Sequence, residues 1–267
     1  MIKLIITDLD GTFLNSEGNF DRDYYQKIKN LMDDKEIAFA PCTGKQCDRV
    51  VELFGDKESE SLWILGDSAS RIKHQRKYVY ESLLPNKLGL AIIAKLEKIA
   101  DDLIIIACTS KTALIKESIS PAETKVVRGS YTSVATVKNL QDITDDFVKI
   151  TIFDPQKRSF ETVKQLTEFK DKAYLVASEA SWIDITNHGV HKGTTVKQLQ
   201  DILGITHSET MVFGDGLNDI ELMEAAEYSF AVGNAFPETK AKAAFITKTN
   251  DENGVLSTIE RILNLQA

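Results

Sequence analysis

Two aspartates spaced two apart close the first apolar run of the chain, Leu4-Ile5-Ile6-Thr7-Asp8-Leu9-Asp10-Gly11-Thr12. A short continuous apolar segment that ends in such a loop reads as a strand buried on both faces, as in a parallel sheet. Residues i and i+2 of a strand share a side, so Asp8 and Asp10 repel unless a cation lies between them or one is protonated. Ligands of open α/β sheets bind at this carboxyl edge. The pattern points to a hard-cation site with one carboxylate as nucleophile. The plain alternative is a polar turn leaving a strand, because short motifs recur by accident.

Further along, residues 20–32 set Tyr24, Ile28, Leu31 and Met32 at helical spacing, with Asp21 and Asp23 suited to the first turn. A strand at 36–40 ends in Pro41-Cys42-Thr43-Gly44-Lys45, again a small hydroxyl residue and a glycine where a strand stops. A helix at 48–54 and a strand at 62–65 complete a strand–helix alternation that predicts a parallel, doubly wound α/β sheet. From about Ser82 the texture changes to mixed elements: a helix at 90–100, a strand at 103–108, and a stretch at 126–137 whose β-branched residues suggest strand. Strands at 147–153 and 173–177 then flank a helix at 159–169. We assign residues 82–188 to an inserted α/β domain, and residues 1–81 with 189–267 to the core.

Residues 189–196 lead into a helix with Val196, Leu199 and Leu203 on one face. Lys192 at its start opposes the helix dipole, a cost that a bound phosphate would reverse; otherwise it is a solvated lysine. Residues 210–219 form a strand ending in Gly214-Asp215-Gly216, followed by Asn218 and Asp219. Glycines there allow the backbone to approach an ion. A helix at 220–226, a strand at 229–232 and a helix at 255–265 follow.

A net charge of -8, with no dense Lys/Arg run, disfavours nucleic acid as a partner. Hydrophobic content of 43% with 27% charged residues is ordinary for a globular protein, and no stretch approaches the roughly 20 apolar residues of a membrane span. Asp8 and Asp10 interrupt the N-terminal apolar segment before a signal sequence develops, so a cytoplasmic location is expected. Cys42, Cys47 and Cys108 lack zinc-ligand spacing and read as reduced, buried thiols. His74, His188, His191 and His207 have no completing ligand nearby and read as loop or solvent histidines.

Two acidic strand ends, a hydroxyl at a third and one lysine suit phosphoryl transfer. A carboxylate attacking phosphorus needs its own charge and those of the phosphoryl oxygens balanced, which magnesium and a lysine can do. With these motifs in this order, the sequence resembles the haloacid dehalogenase superfamily, and within it the Cof-like, type IIB sugar phosphatases. Asp8-Leu9-Asp10-Gly11-Thr12, Thr43-Gly44, Lys192, and Gly214-Asp215 through Asn218-Asp219 match its four motifs.

The resemblance implies a Rossmann-like core with an inserted α/β cap, and Asp8 as a nucleophile that forms an aspartyl-phosphate. Asp10 would protonate the leaving oxygen and later activate water. Thr43, Gly44, Lys192 and Asn218 would hold the phosphoryl group. Asp8, the backbone carbonyl of Asp10, and Asp215 would ligate Mg2+, with Asp219 in support. Two departures stand at the expected mouth of the site: Lys45 where relatives often have arginine, and Gly66-Asp67-Ser68-Ala69 where they often read Asn-Gly-Ala. The expected activity is hydrolysis of a small phosphorylated metabolite, a sugar phosphate above all. The alternatives are a phosphohexomutase of the same capped group and a non-catalytic phosphate-ligand sensor.

Overall fold

The Leu4–Thr7 strand is wholly buried and pairs in parallel on both sides, with Thr210–Gly214 and with Ala38–Pro41. Ile5 lies opposite Met211 on one side and Phe39 on the other, so apolar residues meet across the three central strands. Tyr228–Ala231 and Phe245–Ile246 extend this to five parallel strands. All five carboxyl ends therefore open at one edge. The chain leaves Leu4–Thr7 toward Ala38–Pro41 and later returns on its other side, which makes this strand the switch point where a crevice forms. The computed structural model describes residues 1–266.

Helices Arg22–Asp34, Cys47–Phe54 and Gly254–Leu265 bury Ile28, Val50 and Ile259 against one face of the sheet. Lys192–Leu203 and Ile220–Met223 cover the other with Val196, Leu199 and Leu222. Asp21 caps the first of these helices, its Oδ1 accepting the Tyr24 amide at 2.9 Å, in line with the acidic first turn read from the sequence. Phe13, one residue beyond Thr12, packs on Phe20, Tyr25, Phe39 and Phe54 with ring centroids 5.1–5.9 Å apart. At about 0.5–1.5 kcal/mol per aromatic pair beyond simple burial, this cluster pins the loop that carries Asp8 and Asp10.

Between Leu84 and Asn187 the chain builds a second, six-stranded sheet, the cap. Its spatial order is Ala173–Glu179, Trp182–Asn187, Phe147–Phe153, Ile104–Thr109, Ala113–Lys116 and Val134–Val137, and only the last pair is parallel. Helix Asn86–Ile99 covers one face through Ile92, Ile93 and Leu96, packed against Ile150, Ile152 and Ile183. Helix Pro121–Ser130 covers part of the other through Val127. The pairing slips where Cys108 meets Lys149 but Thr109 meets Phe147, leaving Val148 as an extra residue. Beyond this bulge, strand alternation sends Ile150 and Ile152 into the apolar cluster and Lys149 and Thr151 to the opposite side. That side faces the carboxyl edge of the core sheet.

Three expectations need correction. Residues 126–137 are not one β stretch: residues 121–130 are helical, and only Val134–Val137 is strand. A Ser120/Glu123 capping box with Pro121 in the first turn fixes the helix start, and this local hydrogen bonding overrides the weak preference of Val126 and Val127 for strand. The helix expected at 159–169 ends at Lys164, and a separate 3-10 turn covers Thr167–Phe169. Ile64–Gly66 meets the core sheet at a parallel bridge from Leu65 to Cys42, with the Trp63 amide on the Phe39 carbonyl beside it, then opens an antiparallel hairpin with Arg71–His74 and Lys77–Glu81 that the sequence reading missed. Cys42, Cys47 and Cys108 are free and buried, as expected. Among the described residues no helix is long and apolar enough to cross a membrane.

Candidate active site

Asp8, Thr43 and Asp215 each follow the last residues of a core strand, so parallel pairing gathers them at one edge although they are far apart in sequence. Lys192, the first residue of its helix, is 3% exposed and reaches between two carboxylates. Its Nζ donates to Asp8 Oδ1 at 2.6 Å and to Asp219 Oδ1 at 2.5 Å. The other Asp219 oxygen, Oδ2, accepts the backbone amides of Asp215 and Gly216, both at 2.9 Å. Asp219 is thereby consumed in holding Lys192 and the turn that follows the third acidic strand end.

The side-chain oxygens of Asp8, Asp215 and Asp219 can lie within 4.8 Å of one another. Burial lifts the Asp8 carboxyl well above its ordinary range despite the pull of Lys192. Burial, with the Asp219 charge next, pushes Asp215 up to about 7. Burial also opposes the charge of Lys192, but Asp219 and then Asp8 outweigh it and hold the ammonium protonated. One lysine thus falls short of balancing two buried carboxylates and a half-buried third. The oxygens of Asp8 and Asp215 are hard donors, and among the described residues no thiolate or imidazole joins their cluster, the set a small divalent cation prefers. Asp219, with both oxygens taken, is unsuited to join them as a ligand.

Two glycines make room for this packing. Gly11 has a φ of +77°, and a Cβ on it would lie 2.6 Å from Asp215 Oδ2, so the first acidic loop can nest against the third strand end only without a side chain. Thr12 then donates its hydroxyl to Asp215 Oδ1 at 2.6 Å. A Cβ on Gly193 would stand 2.4 Å from the Glu221 carbonyl oxygen. Backbone cannot yield as a side-chain tip does, so Gly193→Ala should push the helix off Ile220–Met223 and carry Lys192 with it. The expected cost is about 1–3 kcal/mol, a fall in Tm of several degrees by calorimetry, together with loss of activity. Wild-type Tm and rate in this variant would show that the close approach is not needed.

Thr43 is fully buried and its Oγ1 accepts the Lys45 amide at 3.2 Å. Lys45 pairs through Nζ with Asp10 Oδ2 at 2.7 Å, so it meets the Asp10 carboxylate as a single point charge. Asp10 itself stands at the mouth with its side chain 60% exposed, apart from the buried Asp8–Lys192–Asp219 chain. The unusual Gly66-Asp67-Ser68-Ala69 segment holds three successive non-glycine residues in the left-handed region, at φ of +54°, +56° and +65°. Such residues cost roughly 1–2 kcal/mol each. The turn is held by the Asp67 amide on the Lys45 carbonyl at 2.7 Å, the Ser68 amide on the Thr43 carbonyl at 3.2 Å, and the Thr195 hydroxyl on the Ala69 carbonyl at 2.6 Å. His191 caps the Lys192 helix, its Nδ1 accepting the Thr194 amide at 3.4 Å, and is not the free loop residue expected.

Above this edge the cap closes a cavity of about 470 Å³ whose walls include Asp8, Asp10, Gly44, Asp215 and Asn218. The structure therefore brings the candidate site residues of the four motifs to one place, with Thr43, Lys192 and Asp219 just beneath its surface. It also adds cap residues that the sequence reading did not find, chief among them Lys149 and Asp184. Their signal was present: polar Lys149 and Thr151 alternate with apolar residues in 147–153, and Asp184 and Thr186 do so in 182–187, a buried polar stripe in otherwise apolar strands.

A five-stranded parallel core with acidic strand ends, beneath a mixed α/β cap, is the architecture of the type IIB phosphohydrolases. The chain belongs to the haloacid dehalogenase-like hydrolases, whose family model matches residues 5–259, and it is a phosphatase of that family. It is 29% identical over 267 residues to the 5-amino-6-(5-phospho-D-ribitylamino)uracil phosphatase YbjI of Escherichia coli (strain K12), covering 100% of this chain and 98% of that one. The crystal structure of SMU.1108c from Streptococcus mutans UA159 superposes with a TM-score of 0.93 at 29% identity, covering 99% of this chain and 100% of that one. The HAD subclass IIB sugar phosphatase BT4131 shares the fold, with a TM-score of 0.81 at 20% identity over 97% of this chain and 98% of that one.

Proposed function

We propose that the chain hydrolyses the phosphate monoester of a small phosphorylated sugar or sugar alcohol in a magnesium-dependent reaction through an aspartyl-phosphate. The observation that carries this reading is the buried chain Asp8–Lys192–Asp219 at the floor of a capped cavity. It presents one carboxylate for attack beside a cation for the phosphoryl oxygens. The relative of E. coli acts, by its name, on a phosphorylated ribityl compound, which supports a polyol phosphate.

In this reading an Asp8 oxygen forms a bond to phosphorus as the bond to the leaving oxygen breaks, and Asp10 gives that oxygen its proton. Water then attacks the phosphorus of the aspartyl-phosphate. Asp10 takes the water proton, and inorganic phosphate leaves with Asp8 restored. Lys192, Thr43, the Gly44 loop and Asn218 hold the phosphoryl oxygens, and Asp219 keeps Lys192 charged and in place. Asp8, the Asp10 carbonyl and Asp215 would hold Mg2+, which when bound supplies positive charge against the phosphoryl oxygens. We assign residues 82–188 as the unit that covers the leaving group.

Phosphate release from a panel of sugar and sugar-alcohol phosphates, with and without chelator, tests this. Activity should fall below detection in excess chelator and return with magnesium. Full turnover in a metal-stripped preparation would contradict the assigned ligand set.

A further inference from the structure

The cap roof of the cavity carries a carboxylate with one oxygen to spare. Asp184 is 7% exposed, and its Oδ1 is occupied by the Thr151 hydroxyl at 2.7 Å and by Lys149 Nζ at 3.3 Å. Among the described residues its Oδ2 accepts no hydrogen bond, yet it lines the cavity and lies 3.6 Å from where a Cβ on Gly44 would be. Open to the cavity, this oxygen is available to accept a hydrogen bond from a ligand.

The cations around it are committed. Lys149 spends its three N–H groups on the Gly44 carbonyl at 2.6 Å, the Ser68 hydroxyl at 2.9 Å and Asp184. Lys45, on the opposite wall, is paired with Asp10. Glu179, on the same roof, adds a second carboxyl, raised by burial and then by the nearby Asp10 charge. Among the described residues the roof therefore offers a leaving group two carboxyl groups, on Asp184 and Glu179, and no unpaired positive charge.

We infer that Asp184, aimed by Thr151 and Lys149, is a specificity-determining residue. Its Oδ2 accepts a hydrogen bond from a hydroxyl of a neutral leaving group and repels one that carries a carboxylate or a second phosphate. This rests on the phosphatase reading and narrows its substrates to polyhydroxylated monophosphates without a second anion.

The test is a ratio, which is insensitive to the fraction of active enzyme: kcat/KM for ribitol 5-phosphate over that for 3-phosphoglycerate, in magnesium. The wild type should favour the polyol at least about tenfold. Asp184→Asn keeps an oxygen for Thr151 and places an amide donor where Oδ2 stood, so the ratio should fall about 10- to 100-fold. The same shift should appear in the Kd ratio of the two compounds when Asp184→Asn is combined with Asp8→Asn, which needs no turnover. A wild type that takes both compounds equally overturns the inference. So does an Asp184→Asn ratio within about threefold of wild type, including the case where both rates fall together, since that would make Asp184 only a packing partner of Lys149. Release of p-nitrophenol from p-nitrophenyl phosphate by the wild type tests the hydrolase reading alone, so failure of one is distinguishable from failure of the other.

Discussion

Asp8→Asn is expected to lose turnover by roughly 10⁴- to 10⁶-fold, the scale seen when a catalytic nucleophile is removed, while the protein stays folded. The amide has nearly the shape of the carboxylate but no charge with which to attack phosphorus. Stability should change little, because Lys192 keeps its Asp219 partner at 2.5 Å and the crowding of buried carboxylates is relieved. Mass spectrometry of wild type quenched during turnover should show a phosphoryl adduct on Asp8, absent from the variant. Activity within tenfold of wild type, in a preparation free of contaminating phosphatase, would remove Asp8 from the nucleophile role.

Asp10→Asn should separate substrates by their leaving groups. A sugar or polyol alkoxide needs a proton as it departs, whereas a nitrophenolate is already a good leaving group. Loss of a general acid costs about 10²- to 10⁴-fold, and that loss should fall on the polyol phosphate. The first phosphoryl transfer from an aryl phosphate should lose clearly less, giving a burst of phenolate before slow hydrolysis of the aspartyl-phosphate. The exposed position of Asp10, held by Lys45 at 2.7 Å, suits a group that must reach both the departing oxygen and the incoming water. Stopped-flow measurement on both substrates decides the matter. An equal loss in the first transfer step would mean that Asp10 orients the site without serving as the acid.

The parallel core was legible in the sequence because its signals are local. Continuous apolar runs, Leu4 to Ile6 and Ile37 to Ala40, each ending in a polar loop, mark strands buried on both faces, and parallel pairing then leaves no choice about which edge collects Asp8, Thr43 and Asp215. Lys192 was legible for a similar reason: a lysine in a first helical turn is out of place unless something negative faces it, and Asp8 and Asp219 do. The helix at 121–130 was missed because β-branched residues argue weakly for strand and a capping box three residues wide decides more.

The cap side of the cavity lay beyond a linear reading. Whether Lys149 reaches solvent or the Gly44 carbonyl depends on one extra residue, Val148, that resets the alternation of its strand, and on how the cap sits over the core. Whether Asp184 is a satisfied ion-pair member or an acceptor waiting for a ligand depends on which of its two oxygens Thr151 and Lys149 occupy. The sequence by itself determined the fold class and which polar groups the core strand ends bring to one edge, since hydrophobic periodicity and charge at strand ends act within a few residues. Tertiary structure alone decided which cap side chains line the cavity, because strand register and domain closure are set by contacts between residues about a hundred positions apart, as between Lys149 and Gly44.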